Sequence, residues 1–189
     1  MRTLSVFNHV SLDGYFVDRA GSMLWAKPGA ADDEWDAFTR DNAAGDGVLL
    51  FGRVTYDLMN GYWPTPLAME RDADVAKRMN DLTKVVFSRT LRAATWANTT
   101  LVAGDPAEAI ARMKAEPGPP MTILGSGTIV AQLAQAGLID EYRLIVNPIL
   151  LGDGRTLFEG IPEPIALELA HTRAFKNGNV LACYRPAPP

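Results

Sequence analysis

Short apolar runs recur along the chain, each closed by glycine or a small polar residue and followed by a stretch whose apolar positions fall three or four apart. Val48-Leu49-Leu50-Phe51 and Val85-Val86-Phe87 are continuous enough to predict buried strands, as a parallel sheet between helical layers requires, and Met121-Thr122-Ile123-Leu124 predicts a further strand. Residues 3–10 alternate, with Leu4, Val6 and His9 among neighbours of mixed polarity, and the turn residues Ser11-Leu12-Asp13-Gly14 follow. They predict a first strand almost at the amino terminus. Residues 31–42 place Trp35 and Phe38 three apart behind the cap candidates Asp32 and Asp33, which predicts a helix ending at Gly45-Asp46-Gly47. Further helices are expected from near Thr55, over 68–82, and over 106–116 behind Pro106, with strands over 84–88 and 99–103 between them. After Gly125-Ser126-Gly127 a helix carries Ile129, Val130, Leu133 and Ala136 on one side and stops at Gly137.

The period then changes. Residues 142–146, 166–173 and 179–185 are rich in strand formers, and Asn177-Gly178 between the last two is a hairpin signal. Strands joined by helices and followed by a terminal hairpin predict one α/β domain over residues 1–189, with a mostly parallel central sheet and antiparallel C-terminal edge strands. Pro117-Gly118-Pro119-Pro120 is a loop and not a linker, because a strand follows at once.

Composition narrows the function classes. A hydrophobic fraction of 48% and a charged fraction of 21% suit a folded globular chain. The net charge of −4, from 22 acidic and 18 basic residues spread along the chain, gives no polybasic footprint for nucleic acid or a membrane surface. No apolar run approaches the ~20 residues of a membrane span, and residues 1–20 lack the apolar core of a signal peptide. A cytoplasmic enzyme is the expectation. Cys183 is the only cysteine, so an intrachain disulfide and a cysteine metal cluster are excluded, and a buried small hydrophobe is its expected role. His9 and His171 have no metal-ligand spacing and no neighbouring nucleophile, so neither receives a catalytic role.

Three strand ends can hold an anion. Leu124-Gly125-Ser126-Gly127-Thr128 is a short glycine-containing turn between a strand and a helix, where free amides and the positive helix end meet. The same glycines also serve simple chain reversal, and the G-x-G-x-x-G pattern is broken by Val130. At Phe51-Gly52-Arg53-Val54-Thr55, glycine permits close approach, and arginine and threonine can meet phosphate oxygens; a plain turn with a solvated arginine reads equally well. Ser88-Arg89-Thr90 offers hydroxyls and a guanidinium suited to a 2′-phosphate, or merely a polar strand end. Ligands of open α/β sheets gather beyond the carboxyl ends of strands, so the three together suggest one extended dinucleotide.

The segments Val10-Ser11-Leu12-Asp13-Gly14, Leu50-Phe51-Gly52-Arg53-Val54-Thr55-Tyr56, Val86-Phe87-Ser88-Arg89-Thr90 and Leu124-Gly125-Ser126-Gly127, with Leu138-Ile139-Asp140-Glu141 downstream, carry a family resemblance. In order and spacing the chain resembles the dihydrofolate-reductase-like superfamily. Within it, the chain is similar to the C-terminal reductase domain of the bacterial bifunctional riboflavin biosynthesis deaminase-reductase, here without a zinc deaminase signature. The resemblance implies a three-layer α/β fold and an NADPH-dependent reductase that transfers a hydride to a C=N or C=O bond of a small heterocycle, of the pterin/folate or ribosylaminopyrimidine type. It implies that Gly52, Arg53 and Thr55 contact the cofactor, that Ser88 and Arg89 lie near the 2′-phosphate, and that Gly125, Ser126, Gly127 and Thr128 cradle the pyrophosphate. Leu12, Asp13 and Gly14 are implied beside nicotinamide and substrate, and Gly152 and Gly154 in a substrate-side or interface loop. Tyr15 and Phe16 depart from the lysine and small residues usual in the riboflavin reductases.

Counting back from Gly52 to the carboxylate that binds the pterin in dihydrofolate reductases reaches Asp36, the catalytic candidate, on the same helix as Asp33 and Glu34. Trp25, Trp35, Tyr56, Tyr62 and Trp63 can stack on a flat heterocycle, and Trp25 is taken as substrate-binding. A homodimer formed through the apolar region 142–151 is the expected assembly. A dinucleotide-binding or oligomerisation module without turnover is the alternative, since no proton donor stands out.

Overall fold

Among the described residues of the computed structural model, 1–26 and 32–188, the apolar runs pair side by side into an eight-stranded sheet. The strands are β1 (Leu4–Ser11), β3 (Val48–Gly52), β4 (Thr83–Phe87), β5 (Thr99–Val102), β6 (Met121–Leu124), β7 (Glu141–Asn147), β9 (Leu167–Ala174) and β10 (Val180–Pro186). Their order is β5-β4-β3-β6-β1-β7-β10-β9. The first six neighbours are parallel, and β10 runs antiparallel to both β7 and β9. The expected mostly parallel sheet with an antiparallel C-terminal edge is therefore the observed one. A separate pair, β2 (Tyr15–Asp18) with β8 (Gly154–Thr156), lies outside the main sheet and outside the sequence expectation. Strands this short carry too few residues for alternation to show.

Helices cover both faces, giving three layers. On one face lie α1 (Asp33–Ala44), α2 (Arg53–Asn60), α3 (Pro66–Arg71) and α4 (Ala73–Asp81), over Leu49, Phe51, Val86, Ile145 and Leu181. On the other lie α5 (Pro106–Ala115) and α6 (Gly127–Gln135), over Val6, Leu50, Val85 and Ile123. Val6, Leu50 and Ile123 are fully buried, and each stabilises the fold by roughly 1.5–3 kcal/mol by leaving water. No described helix is long and apolar enough to cross a membrane.

Local chemistry sets the helix ends. The Asp32 carboxylate accepts the amides of Glu34 and Trp35 and starts α1, two residues later than expected; Ala31 lies outside the described residues. Asp105 does the same for α5, with Pro106 in the first turn. The single helix expected over 68–82 is two, because Asp72 leaves helical geometry at φ −155° and turns its carboxylate to the Val75 amide. A side chain that competes for backbone amides ends one helix and caps the next. The α4 C-terminus is closed by a buried cation: Lys84 on β4 donates to the carbonyls of Asn80 (3.0 Å) and Leu82 (2.5 Å), with its ammonium 4.6 Å from the Trp96 ring centre. Burial pushes its pKa down to about 8, against the opposing pull of Asp81.

Candidate functional site at the strand exits

Sheet order brings the anion-competent segments together, since β4, β3 and β6 are immediate neighbours. Ser126 ties two of the exits. Its hydroxyl accepts the Gly52 amide at 2.8 Å and donates to the Leu124 carbonyl at 3.1 Å, while its own amide donates to Thr55 Oγ1 at 3.1 Å. These bonds need the chain to turn within two residues, and Gly125 (φ 58°) and Ser126 (φ 64°) are both left-handed. A β-carbon on Gly125 would stand 2.8 Å from Thr55 Oγ1 and Cγ2, so glycine is required here for space as well as for conformation. Gly127 faces a second constraint: a β-carbon would meet the Phe16 ring at 3.0 Å. Phe16, one of the two departures from the riboflavin reductase pattern, is buried under the start of α6.

With the turn held by side chains, the amides of Gly127 and Thr128 at the head of α6 have no acceptor among the described residues. Thr128 borders a cleft of about 370 Å³ shared with Phe87, Ser88, Arg89 and the 103–106 loop, whereas Gly127 lines a neighbouring cavity of about 550 Å³ together with Thr128, Gln132 and Arg155. Of the pyrophosphate candidates, Thr128 therefore shares a cleft with the 2′-phosphate candidates Ser88 and Arg89. Arg89 is exposed, with no carboxylate partner among the described residues. Ser88 braces the loop by accepting the amides of Thr90 (3.2 Å) and Leu91 (2.9 Å), and its hydroxyl also meets Thr90 Oγ1 at 3.4 Å. Arg53 lies exposed at the start of α2, paired with Asp57 at 3.0 Å, and Gly52 and Thr55 act on the turn through Ser126.

The substrate-side candidates do not converge in the same way. Leu12 is 66% exposed, and Gly14, at φ 89°, closes a tight turn onto the Ser11 carbonyl. The Asp13 carboxylate accepts the Ser11 hydroxyl (2.6 Å) and the amides of Leu151 (3.1 Å) and Gly152 (2.7 Å). Those bonds, Ser11's foremost, hold its pKa below the ordinary value. Asp13 thus latches the loop after β1 to the loop after β7. Gly154, at φ 147°, lies against the Val17 carbonyl where β8 meets β2. Trp25 is half-buried within the 23–26 turn, and its indole Nε1 has no partner among the described residues. Asp36 is exposed on α1, whose buried side carries Trp35 and Phe38. The ungapped count lands on the solvent face of the helix, beside the inward position.

One group escaped the sequence reading, and a second, His9, was set aside by it. Asn8, 2% exposed on β1, donates to the Gly125 carbonyl at 3.1 Å and anchors the turn from below. A polar residue in a strand register otherwise filled by Leu4, Val6 and Val10 is the signal that could have found it. His9, on the opposite face, packs edge-on against Trp35 with 6.0 Å between ring centres and faces the Asn147 amide. Asn147 Nδ2 donates to the carbonyls of Val10 (3.1 Å) and Ile145 (3.0 Å), so its Oδ1, 3.5 Å from His9 Nδ1, is left to accept. By this assignment of protons, His9 carries its hydrogen on Nδ1 and presents Nε2 as an acceptor. Burial lowers its pKa, against the raising effect of the Asn147 bond, and the ring is neutral at pH 7.

The family model described as the RibD C-terminal domain matches residues 2–181. The uncharacterized protein YyaP of Bacillus subtilis (strain 168) is 29% identical over 179 residues, covering 93% of this chain and 90% of that protein. The crystal structure of a putative riboflavin biosynthesis protein from Shewanella sp. PV-4 superposes with a TM-score of 0.73 at 23% identity, covering 98% of this chain and 99% of the other. Dihydrofolate reductase from Enterococcus faecalis, complexed with NADP(H), gives a TM-score of 0.63 at 14% identity, with 98% and 97% coverage. The fold is thus dihydrofolate-reductase-like.

Proposed function

The chain belongs to the RibD C-terminal domain family, and from that premise we propose that it is an NADPH-dependent reductase acting in the cytoplasm, transferring a hydride to a C=N or C=O bond of a small heterocycle. One observation carries the reading: the Ser126 junction holds the β3 and β6 exits together, and Thr128 in the first turn of α6 borders the same cleft as Ser88 and Arg89. The donor set fits a dinucleotide phosphate. Backbone amides at a helix start suit a pyrophosphate, and an unpaired exposed arginine beside hydroxyls suits a 2′-phosphate. When bound, NADPH supplies the hydride, and the chain's work is alignment. Gly127 and Thr128 would hold the pyrophosphate, Arg89 and Ser88 the 2′-phosphate, and Asn8, Gly125 and Thr55 keep the turn in shape.

Arg89→Gln tests the assignment. Losing a charge-assisted contact worth ~1.5–3 kcal/mol weakens NADPH binding roughly 10- to 150-fold. NADH, which lacks the 2′-phosphate, binds as before. Equal losses for both cofactors, or no thermal stabilisation of the unmodified protein by NADPH, overturn the reading. Assays with dihydrofolate and with the ribosylaminopyrimidine then separate the two substrate types.

A binding module without turnover is the second reading, favoured by the exposed Asp36 and the engaged Asp13, neither of which stands ready to give a proton. Oxidation of NADPH by either substrate, lost in Gly127→Leu, excludes it.

The proposed working unit is a homodimer. All residues of β9 are exposed, and its rows continuing Leu144, Val146, Val180 and Tyr184 carry Leu167, Leu169, Thr172 and Ala174, without a charge. An uncovered apolar sheet face of this kind suits a two-fold partner. Sedimentation as a dimer at micromolar concentration, shifted to monomer by Leu169→Glu, is expected; a monomeric unmodified protein refutes it.

A further inference from the structure

Central strands of a parallel sheet are ordinarily covered on both faces, and β1 and β6 are covered on one only. Leu4, Val6, Met121 and Ile123 on the α5–α6 side are fully buried, whereas Ser5, Phe7, Thr122 and Leu124 on the other side are half-buried. Beneath α1 and α4 on that side lies a cavity of about 630 Å³, whose lining reaches Gly47 and Pro120 at the amino ends of the strands. That is the end of the sheet opposite to the phosphate-binding turns. Its volume falls in the ~300–1,000 Å³ range of small-molecule sites.

The walls are mostly apolar, with Leu49 and Met79 buried and Phe7, Leu82 and Leu124 half-buried. On the floor the Ser5 and Thr122 hydroxyls meet at 3.1 Å. The rim charges are matched: Asp46 with Arg78, Asp140 with Lys114 at 2.6 Å, and Glu141 with Arg185 at 3.2 Å. Arg143 is different. It lies half-buried within the lining, with no carboxylate partner among the described residues. One of its nitrogens donates to Asn42 Oδ1 at 2.8 Å, and its guanidinium stands 5.5 Å from the Phe7 ring centre. A guanidinium has five N–H donors, so most remain unused, and the neutral amide and the ring hold the plane in place without cancelling its charge.

We propose that this cavity is a second binding site, for a flat apolar molecule bearing a carboxylate, with the ring over Phe7, Leu49 and Met79 and the carboxylate on Arg143. Charge, shape and depth each select for that class. A cation held against an aromatic floor favours a bidentate oxyanion, the apolar walls favour a planar hydrocarbon body, and the paired rim repels neither.

The probe is 2-naphthoate, titrated into the full chain carrying 13C-methyl methionine. Met79 is the methionine in the cavity lining, so its methyl resonance is expected to shift saturably under the ring current of the bound probe. The neutral isostere 2-naphthylmethanol is expected to bind at least about tenfold more weakly, as is 2-naphthoate to Arg143→Gln, because each change removes one half of a charge-assisted pair. The isostere comparison uses unmodified protein and stands even if the variant fails to fold. An unmoved Met79 methyl at millimolar probe, equal affinity for acid and alcohol, or competition by NADPH, which would place the probe at the strand exits, overturns the proposal.

Discussion

Replacing Gly125 by alanine measures how tightly the phosphate-binding turn is built. Two costs follow from the structure. The left-handed φ of 58° disfavours any residue with a β-carbon, by ~1–2 kcal/mol. The new methyl would also sit 2.8 Å from Thr55 Oγ1 and Cγ2, closer than non-bonded atoms approach, so Thr55 must rotate and release the Ser126 amide. A buried donor left without its acceptor costs ~1–3 kcal/mol, so the whole change destabilises by roughly 2–5 kcal/mol. Urea unfolding of Gly125→Ala, Thr55→Ala and the double variant reads this directly. Thr55→Ala alone loses the Ser126 bond; in the double variant the collision is gone, so the two losses overlap and fall short of their sum. NADPH stabilisation is expected to fall in parallel, because the α6 amides are aimed by the same turn. Additive losses, or a Gly125→Ala variant within ~0.5 kcal/mol of the parent, would falsify the account of a glycine held by contact.

Two pH dependences follow as well. Lys84 has a folded pKa of about 8, below its ordinary 10.5, so between these values the unfolded chain binds the extra proton. Stability should therefore rise with pH through that window, and the slope should vanish in Lys84→Met; thermal melts showing the same alkaline rise in both proteins would contradict it. Asp13 has a depressed pKa, so its contribution is fully present above the ordinary 3.8 and is lost as pH falls below it. Asp13→Asn should speed amide hydrogen exchange at Leu151 and Gly152 at neutral pH, and unchanged exchange there would rule out the latch.

Periodicity carried the fold a long way. The buried runs at Val48 and Val85 and the Asn177-Gly178 hairpin were legible because burial on both faces leaves an unbroken apolar signature, and a two-residue turn has its own chemistry. Glycine and hydroxyl residues at strand ends marked the turns for the same local reason. What those signals lack is direction across the sheet. Whether Asp36 or its neighbour faces inward depends on where α1 starts, which Asp32 decides by capping, and one residue turns a helix by about 100°. The role of Asp13 depends on Leu151 and Gly152, more than a hundred positions away. The cavity beside Arg143 exists because β1 and β6 keep one face only half-covered. Local pattern determines which segments are strands, helices and turns, since it records the backbone's own preferences and each residue's share of burial. Contacts between distant segments are settled only when the layers pack, and there this protein's cleft, latch and second cavity are decided.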